Sequence, residues 1–437
     1  MEKKHNISEH LFRSLLASEK LSREELQANS EKQLLNTLRH AATTTKYYSK
    51  TLQPFAHLPS SIDPDAWNKI PILTRAEIKD HLDDIASNAI PAGHGNHTWG
   101  GTSGTSGLPI LTKSTMLAGL MQAALQFRFY ARLGLDGSKK LISIKGDQIG
   151  EYPDGETSST PWIPQFVSGN GSAPSVQLKQ PLALEKQLEF LNRQGPCYLN
   201  TQPSNLTGLA QTYQSDPDRY AQIDLAGIIC LGEMVQPYHH ELARVNFNCG
   251  IMDIYSAAEV GDVAHQCKAG HLHINSEILH LETLREDGSP CAEHETGRIV
   301  ITPTINWAMP LIRYDIGDQG ALSHGCECGI SLPVLKLTVG RERNLFKFSD
   351  GTSVLGLISL TKYHEFFPVR QWQIVQDAPE ALTVHFVSHS PDSELNFDKL
   401  TKTLQDYFNR PLRISYCRQE QMSLTASGKL QEAFRNY

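Results

Sequence analysis

Between Gly100 and Pro109 the chain reads Gly-Gly-Thr-Ser-Gly-Thr-Ser-Gly-Leu-Pro, four glycines interleaved with Thr102, Ser103, Thr105 and Ser106. Glycine lets a backbone approach a ligand closely, and successive N–H groups bent into a concavity attract anions. With hydroxyls added, such a loop suits a polyanion. It is not a Walker-type P-loop: Lys113-Ser114 comes too late and no glycine precedes it. The same composition also describes an ordinary surface turn, and the loop alone does not choose between the two.

A second constellation is Cys267, followed by His271 and His273 and later by Cys326-Glu-Cys328. Thiolates with imidazole make closed, tetrahedral structural zinc sites when four protein ligands converge. Cys-x-Cys is tighter than the usual Cys-x-x-Cys, so reduced thiols beside surface histidines stand as the alternative. Cys197, Cys230, Cys249 and Cys417 lie in or beside apolar stretches and read as core residues or inert thiols. The segment Met1 to His10 is polar and lacks the apolar stretch of a secretory signal. The expected location is therefore the cytoplasm, where eight cysteines do not imply a disulfide framework.

These residues need elements to hold them. Up to about Tyr48 the periodicity is helical, with Leu11, Leu15 and Leu16 in one apolar stripe and Leu34, Leu35 and Leu38 in another. Ser22 with Glu25, and Thr74 with Glu77, have the spacing of reciprocal helix caps. Onward to about Leu337, short apolar runs such as Lys140–Ile144 and Gly227–Leu231 alternate with helical stretches, the pattern of an α/β domain with a substantial sheet. Turn-rich residues predict loops over Gly155–Pro161 and Ser168–Ser175. After Gly340-Arg341 the character changes. Gln371–Val375 and Leu382–Val387 predict strands, and Phe397, Leu400, Leu404 and Phe408 mark one face of a helix. The expectation is an α/β protein with a large N-terminal α/β domain of mixed sheets, residues 1–340, and a small C-terminal α+β domain, residues 341–437. The net charge of −7 argues against a broad nucleic-acid footprint, and no apolar run approaches the length that crosses a bilayer.

Further motifs follow the glycine-rich loop in order: Tyr255-Ser-Ala-Ala-Glu259, Met309-Pro-Leu-Ile-Arg-Tyr-Asp-Ile-Gly-Asp318, Gly340-Arg341 and Leu424-Thr-Ala-Ser-Gly-Lys429. With this set the chain resembles the adenylate-forming superfamily of acyl-CoA synthetases. More narrowly it looks like the phenylacetate-CoA ligase branch and its capsule-biosynthesis relatives. The resemblance runs from about Thr44, through Ile70-Pro-Ile-Leu-Thr-Arg-Ala-Glu77, to the end. Met309–Asp318 is its strongest piece.

The resemblance implies an enzyme fold and a set of roles. Thr102, Ser103, Gly104, Thr105, Ser106 and Gly107 would grip the outgoing pyrophosphate of ATP. Tyr255 would stack on adenine with Ser256 beside it, and Asp318 would accept hydrogen bonds from both ribose hydroxyls. Glu259 would bind Mg²⁺, a hard cation that prefers oxygen ligands. Arg341 would lie near the ribose at the domain junction. Lys429 would touch the substrate carboxylate and the α-phosphate as they join, stabilising charge that develops in the transition state. The implied reaction is ATP-dependent activation of a carboxylic acid, aryl or arylalkyl by resemblance, to an acyl-adenylate. Coenzyme A then displaces AMP after the small domain turns about Gly340-Arg341. Some relatives carry a similar Cys, His and Cys-x-Cys-Gly set that binds zinc, which makes Cys267, His273, Cys326 and Cys328 the expected ligands, with His271 the alternate to His273. The expected partners are the acid, ATP and coenzyme A, with no nucleic acid and no membrane; a homodimer is left open.

Three departures bear on this. The residue before Glu259 is Ala258, where the family usually has Ser or Thr. The hinge reads Glu342-Arg343-Asn344, and Lys347-Phe-Ser-Asp-Gly-Thr352 replaces the usual loop along the coenzyme A tunnel. They leave two other readings open: an adenylate-forming amide or ester synthetase, and a nucleotide-binding protein that has lost catalysis. Trp162, Phe166 and Phe129 are candidates to line an acid pocket, although aromatic residues are more often core.

Overall fold

Both reciprocal caps form. In the computed structural model, Ser22 Oγ accepts from the backbone of Glu25 while the Glu25 carboxylate accepts from the backbone of Ser22, starting the helix Arg23–Thr44. Thr74 and Glu77 do the same for the helix Arg75–Asp80. Each cap satisfies backbone donors that a helix start otherwise leaves unpaired. The structure describes residues 2–57, 61–101, 110–145, 156–179, 182–339, 345–356, 363, 366–369, 371–388, 390–422 and 433–437. They fall into two units, one of residues 1–138, 160–173 and 253–338, the other of residues 139–159, 174–252 and 339–437.

In the first unit, helices Glu2–Ser18, Arg23–Thr44 and Met116–Leu133 accompany a largely antiparallel sheet. Its strands lie in the order Leu279–Leu284, Thr296–Pro303, Tyr314–Ser323, Val334–Val339, Leu272–Ile274, Gly261–Gln266 and Ile251–Ala257. Leu15, Leu34, Leu35 and Leu38, from the two predicted stripes, are buried in one core with Ile78, Ile299, Ile301 and Tyr314.

In the second unit, Cys197–Thr201 pairs in parallel with Leu225–Leu231 and with Lys140–Lys145, which pairs in parallel with Pro174–Lys179. Helices Leu184–Leu191, Pro203–Ser215 and Pro237–Phe247 alternate with these strands. Cys197–Thr201 is buried at every position, as expected of a parallel strand covered on both faces. The C-terminal part builds a separate core on a four-stranded sheet, in the order Arg413–Arg418, Ala381–Val387, Gln371–Ala378, Ala433–Arg435. Leu400, Leu404 and Phe408 of the helix Phe397–Phe408 bury into that core.

Two loop expectations change. Glu156–Pro161 is a strand at the end of its sheet's strand order, and Pro174–Lys179 begins inside the segment read as a turn. Thr157, Ser159 and Thr160 of this end strand are exposed, so polar side chains cost little there and the apolar alternation is lost. All eight cysteines are free thiols, and among the described residues no helix is long and apolar enough to cross a membrane.

Candidate functional site

Tyr255 and Ser256 lie on the strand Ile251–Ala257, which bulges between these two residues against its antiparallel partner Gly261–Gln266. Such bulges re-aim side chains at the rims of sheets. Asp318 lies on Tyr314–Ser323, one residue past Gly317, whose φ of +79° suits glycine. The turn is further held by Asp315, whose Oδ1 accepts from Gly317 N at 2.9 Å and whose Oδ2 meets Arg298 at 3.0 Å. The outcome is a direct bond: Tyr255 Oη donates to Asp318 Oδ2 at 2.7 Å. Two residues 63 positions apart, assigned to adenine and to ribose, thus form one half-buried unit.

Glu259 stands four residues beyond Tyr255, in the turn before Gly261, with Ala258 exposed beside it. Its side chain is 6% exposed and forms an ion pair with Arg75, Nη1 to Oε1. Arg75 reaches it because its segment is clamped to the Met309–Asp318 motif. Leu73 N donates to Arg313 O, and Asp315 N donates to Leu73 O, both at 2.9 Å. Arg313 reinforces the clamp from inside. Its guanidinium meets Glu282 at 3.1 Å, donates to the carbonyl of Ile70 at 3.0 Å and lies 5.4 Å from the Trp67 ring. Arg313 takes φ +52°, a left-handed conformation that non-glycine residues seldom adopt and that a dense set of contacts must hold. Arg75 was present in the resemblance only as a letter of the Ile70–Glu77 stretch. Its partner is 184 residues away, so nothing in the local sequence could have signalled the pair. The remaining assigned residues, Thr102–Gly107, Arg341 and Lys429, lie outside the described residues.

The cysteine and histidine set converges. One ligand atom from each of Cys267, His273, Cys326 and Cys328 lies within 4.8 Å of every other. Cys267 Sγ and Cys326 Sγ are 3.9 Å apart, and His273 Nε2 is 3.3 Å from Cys328 Sγ. For a tetrahedral ion with Zn–S bonds of about 2.3 Å, neighbouring sulfurs stand about 3.8 Å apart. His273 Nδ1 lies 2.9 Å from the carbonyl of Leu332. A proton there leaves Nε2 as the ligand atom, the outer-shell bond commonly seen on metal-bound histidine. Desolvation pulls His273 down to about 4, so the imidazole is neutral at pH 7. His271 is exposed and groups instead with Cys326 and Glu327.

Trp162, Phe166 and Phe129 serve packing. Phe129 is fully buried, 4.9 Å from His265, Trp162 meets Tyr130 edge-on at 4.9 Å, and Phe166 lies 5.8 Å from Phe12.

No protein-family model and no curated protein matches this sequence. Solved structures do match. The 2-hydroxyisobutyryl-CoA ligase in its postadenylation state, bound to R3-HIB-AMP, superposes with a TM-score of 0.73 at 14% identity over 96% of this chain and 91% of that one. The fold is that of the adenylate-forming enzymes. The anthranilate-CoA ligase AuaEII, in complex with anthranoyl-AMP, matches with a TM-score of 0.52 at 14% identity, over 76% of this chain and 65% of that one. O-succinylbenzoate coenzyme A synthetase from Bacillus subtilis, with ATP and magnesium, matches with a TM-score of 0.50 at 16% identity, over 77% and 68%. At these identities the likeness carries architecture, and residue roles rest on local geometry.

Proposed function

We propose that this chain activates a carboxylic acid with ATP and passes the acyl group to coenzyme A, as a phenylacetate-CoA ligase does. The observation that carries the reading is the bond from Tyr255 to Asp318, with Glu259 in the turn that follows the Tyr255 strand. An aromatic face, a carboxylate for vicinal hydroxyls and a second carboxylate for a hard cation suit the base, ribose and metal-bound phosphates of one nucleotide. In the reaction a carboxylate oxygen attacks the α-phosphorus and the bond to the bridging oxygen of pyrophosphate breaks, leaving an acyl-adenylate. Thr102–Gly107 take the leaving pyrophosphate, and Lys429, from a C-terminal domain beginning at residue 341, takes the developing charge at the α-phosphate. By resemblance, Arg341 would lie near the ribose. Mg²⁺ supplies charge neutralisation at the phosphates, and Glu259 is the residue that would hold it. The acid is of aryl or arylalkyl type by resemblance, and the compartment is the cytoplasm.

Zinc is the ion assigned to Cys267, His273, Cys326 and Cys328. Four protein ligands close the site, which suits structural support and leaves no position for water activation. The ion would tie the turn around Cys267–Gly270 to the segment Cys326–Gly329.

A second reading keeps the adenylation and changes the acceptor. Lys347–Thr352 forms a tight turn in which Gly351 N donates to Phe348 O at 3.0 Å, and Arg410 lies 3.7 Å from the Phe348 ring and 3.3 Å from Asp350. By resemblance, Lys347–Thr352 departs in sequence from the loop that lines the coenzyme A tunnel in typical ligases, and that departure supports an amine or hydroxyl acceptor. The test is acid-dependent exchange of pyrophosphate into ATP over a panel of aryl, arylalkyl and short acids, followed by addition of coenzyme A or amines. Exchange with thioester formation supports the first reading, and exchange with amide formation alone supports the second. No exchange with any acid refutes both.

A further inference from the structure

The Arg75–Glu259 pair is unusual for what it joins: a carboxylate assigned to a divalent cation, and a fixed positive charge. The Glu259 side chain is 6% exposed and that of Arg75 31% exposed. An ionised carboxylate so far from water is costly unless something compensates its charge, and the guanidinium does so before any nucleotide arrives. The contact is made at one oxygen only, Nη1 to Oε1. Among the described residues Oε2 has no hydrogen-bond partner, so the pair leaves one carboxylate oxygen uncommitted at the nucleotide site.

Arg75 is itself held by more than this contact. It is the first residue of the helix Arg75–Asp80, started by the reciprocal cap of Thr74 and Glu77. Two residues earlier Leu73 bridges to Tyr314, with Arg313 and Asp315 as its backbone partners. Asp318 lies three residues beyond Asp315 on the same strand. One backbone clamp therefore sets both Asp318, which faces Tyr255, and Arg75, which faces Glu259. The guanidinium is in register with the site by construction, whereas a surface ion pair would be free to reorient.

We propose that Arg75 is a positioning residue for the metal-binding carboxylate. It holds Glu259 by Oε1 so that Oε2 is presented to the divalent cation that arrives with ATP. This deepens the nucleotide reading above and rests on it. A guanidinium suits this nearly closed contact better than an ammonium would, because it is more weakly hydrated and loses less on leaving water.

The test uses Mn²⁺ in place of Mg²⁺, with ATP, the full-length chain and electron paramagnetic resonance to count free and bound metal. Wild type should bind Mn²⁺ with ATP at one site per chain. Arg75→Gln should weaken Mn²⁺ binding in the presence of ATP by about tenfold or more, the size of effect seen when a metal-ligating group loses the partner that orients it. Arg75→Lys should recover only part of it. In a Glu259→Gln background Arg75→Gln should add nothing, because the residue acts through that carboxylate. Circular dichroism confirms that each variant is folded before titration. Unchanged or tighter Mn²⁺ binding in Arg75→Gln overturns the proposal while leaving the nucleotide reading intact, as does a further loss in the Glu259→Gln background. Failure of the wild type to bind Mn²⁺ with ATP overturns both.

Discussion

Replacing Arg313 with methionine tests whether the clamp beneath the proposed nucleotide site is built as described. The Arg313 side chain is 2% exposed and its partner Glu282 11%. Its Nε and Nη2 meet the two oxygens of Glu282 at 3.2 and 3.1 Å, and Nη1 donates to the carbonyls of Ile70, Trp67 and Asn68 at 3.0, 3.3 and 3.4 Å. Methionine fills much of the volume but supplies no donor. Glu282 keeps one partner, Trp67 Nε1 at 2.9 Å, and is left charged in a nearly closed space. Breaking one side of a buried pair costs about 3–5 kcal/mol. At 1.36 kcal/mol per factor of ten, that is a loss of about a hundredfold or more in the folding equilibrium. Adding Glu282→Gln removes the uncompensated charge and retains an acceptor for Trp67. The double variant should therefore recover more than about 1 kcal/mol relative to the sum of the single changes, as expected for residues in direct contact. Urea denaturation followed by circular dichroism measures all of this. A change below about 1 kcal/mol for Arg313→Met, or strict additivity in the pair, would refute the reasoning, since neither fits an uncompensated buried carboxylate.

Three shorter predictions accompany it. Elemental analysis of purified protein should find one zinc per chain; Cys326→Ser should lose it and His271→Ala should keep it. Zinc loss in His271→Ala would exchange the two histidines, and zinc retained in Cys326→Ser would refute the site. Burial pushes Asp253 up to about 7, well above an unfolded value near 3.9. The folded state therefore holds a proton that the unfolded state has lost between those limits, so this residue's contribution to stability falls as pH rises through 7. Asp253→Asn should unfold at a higher temperature than wild type at pH 8 and at the same temperature at pH 4; an equal difference at both would show that its burial is not what matters. Tyr255→Phe should weaken ATP binding by less than about tenfold, as loss of one hydrogen bond. Asp318→Ala should weaken it more, because on the proposed reading it removes the acceptor for both ribose hydroxyls as well as the tyrosine bond; calorimetric titration with ATP compares them.

Much of the molecule was legible in its residues because the signals were local. Ser22-x-x-Glu25 and Thr74-x-x-Glu77 contain both halves of a helix cap within one turn, so they needed no distant partner to be read. The stripe Leu400, Leu404 and Phe408 marks a helix face by periodicity alone. Glu156–Pro161 escaped because an end strand needs no apolar alternation, and composition then looks like a loop.

The site divides along the same line. The Cys and His types at Cys267, His271, His273, Cys326 and Cys328 suggested a metal by their own chemistry, whereas Tyr255, Glu259 and Asp318 were raised by the resemblance of their ordered motifs to a known family. Which histidine stands among the cysteines was decided by burial: His273, on the strand Leu272–Ile274, is fully buried, and His271, just before that strand, is exposed. That Tyr255 bonds Asp318, and that Arg75 faces Glu259, was decided only by the tertiary structure. Those contacts span 63 and 184 residues, and strand pairing and the Leu73 clamp create them. A sequence specifies such contacts only through the global packing that closes the intervening chain, which no local pattern encodes.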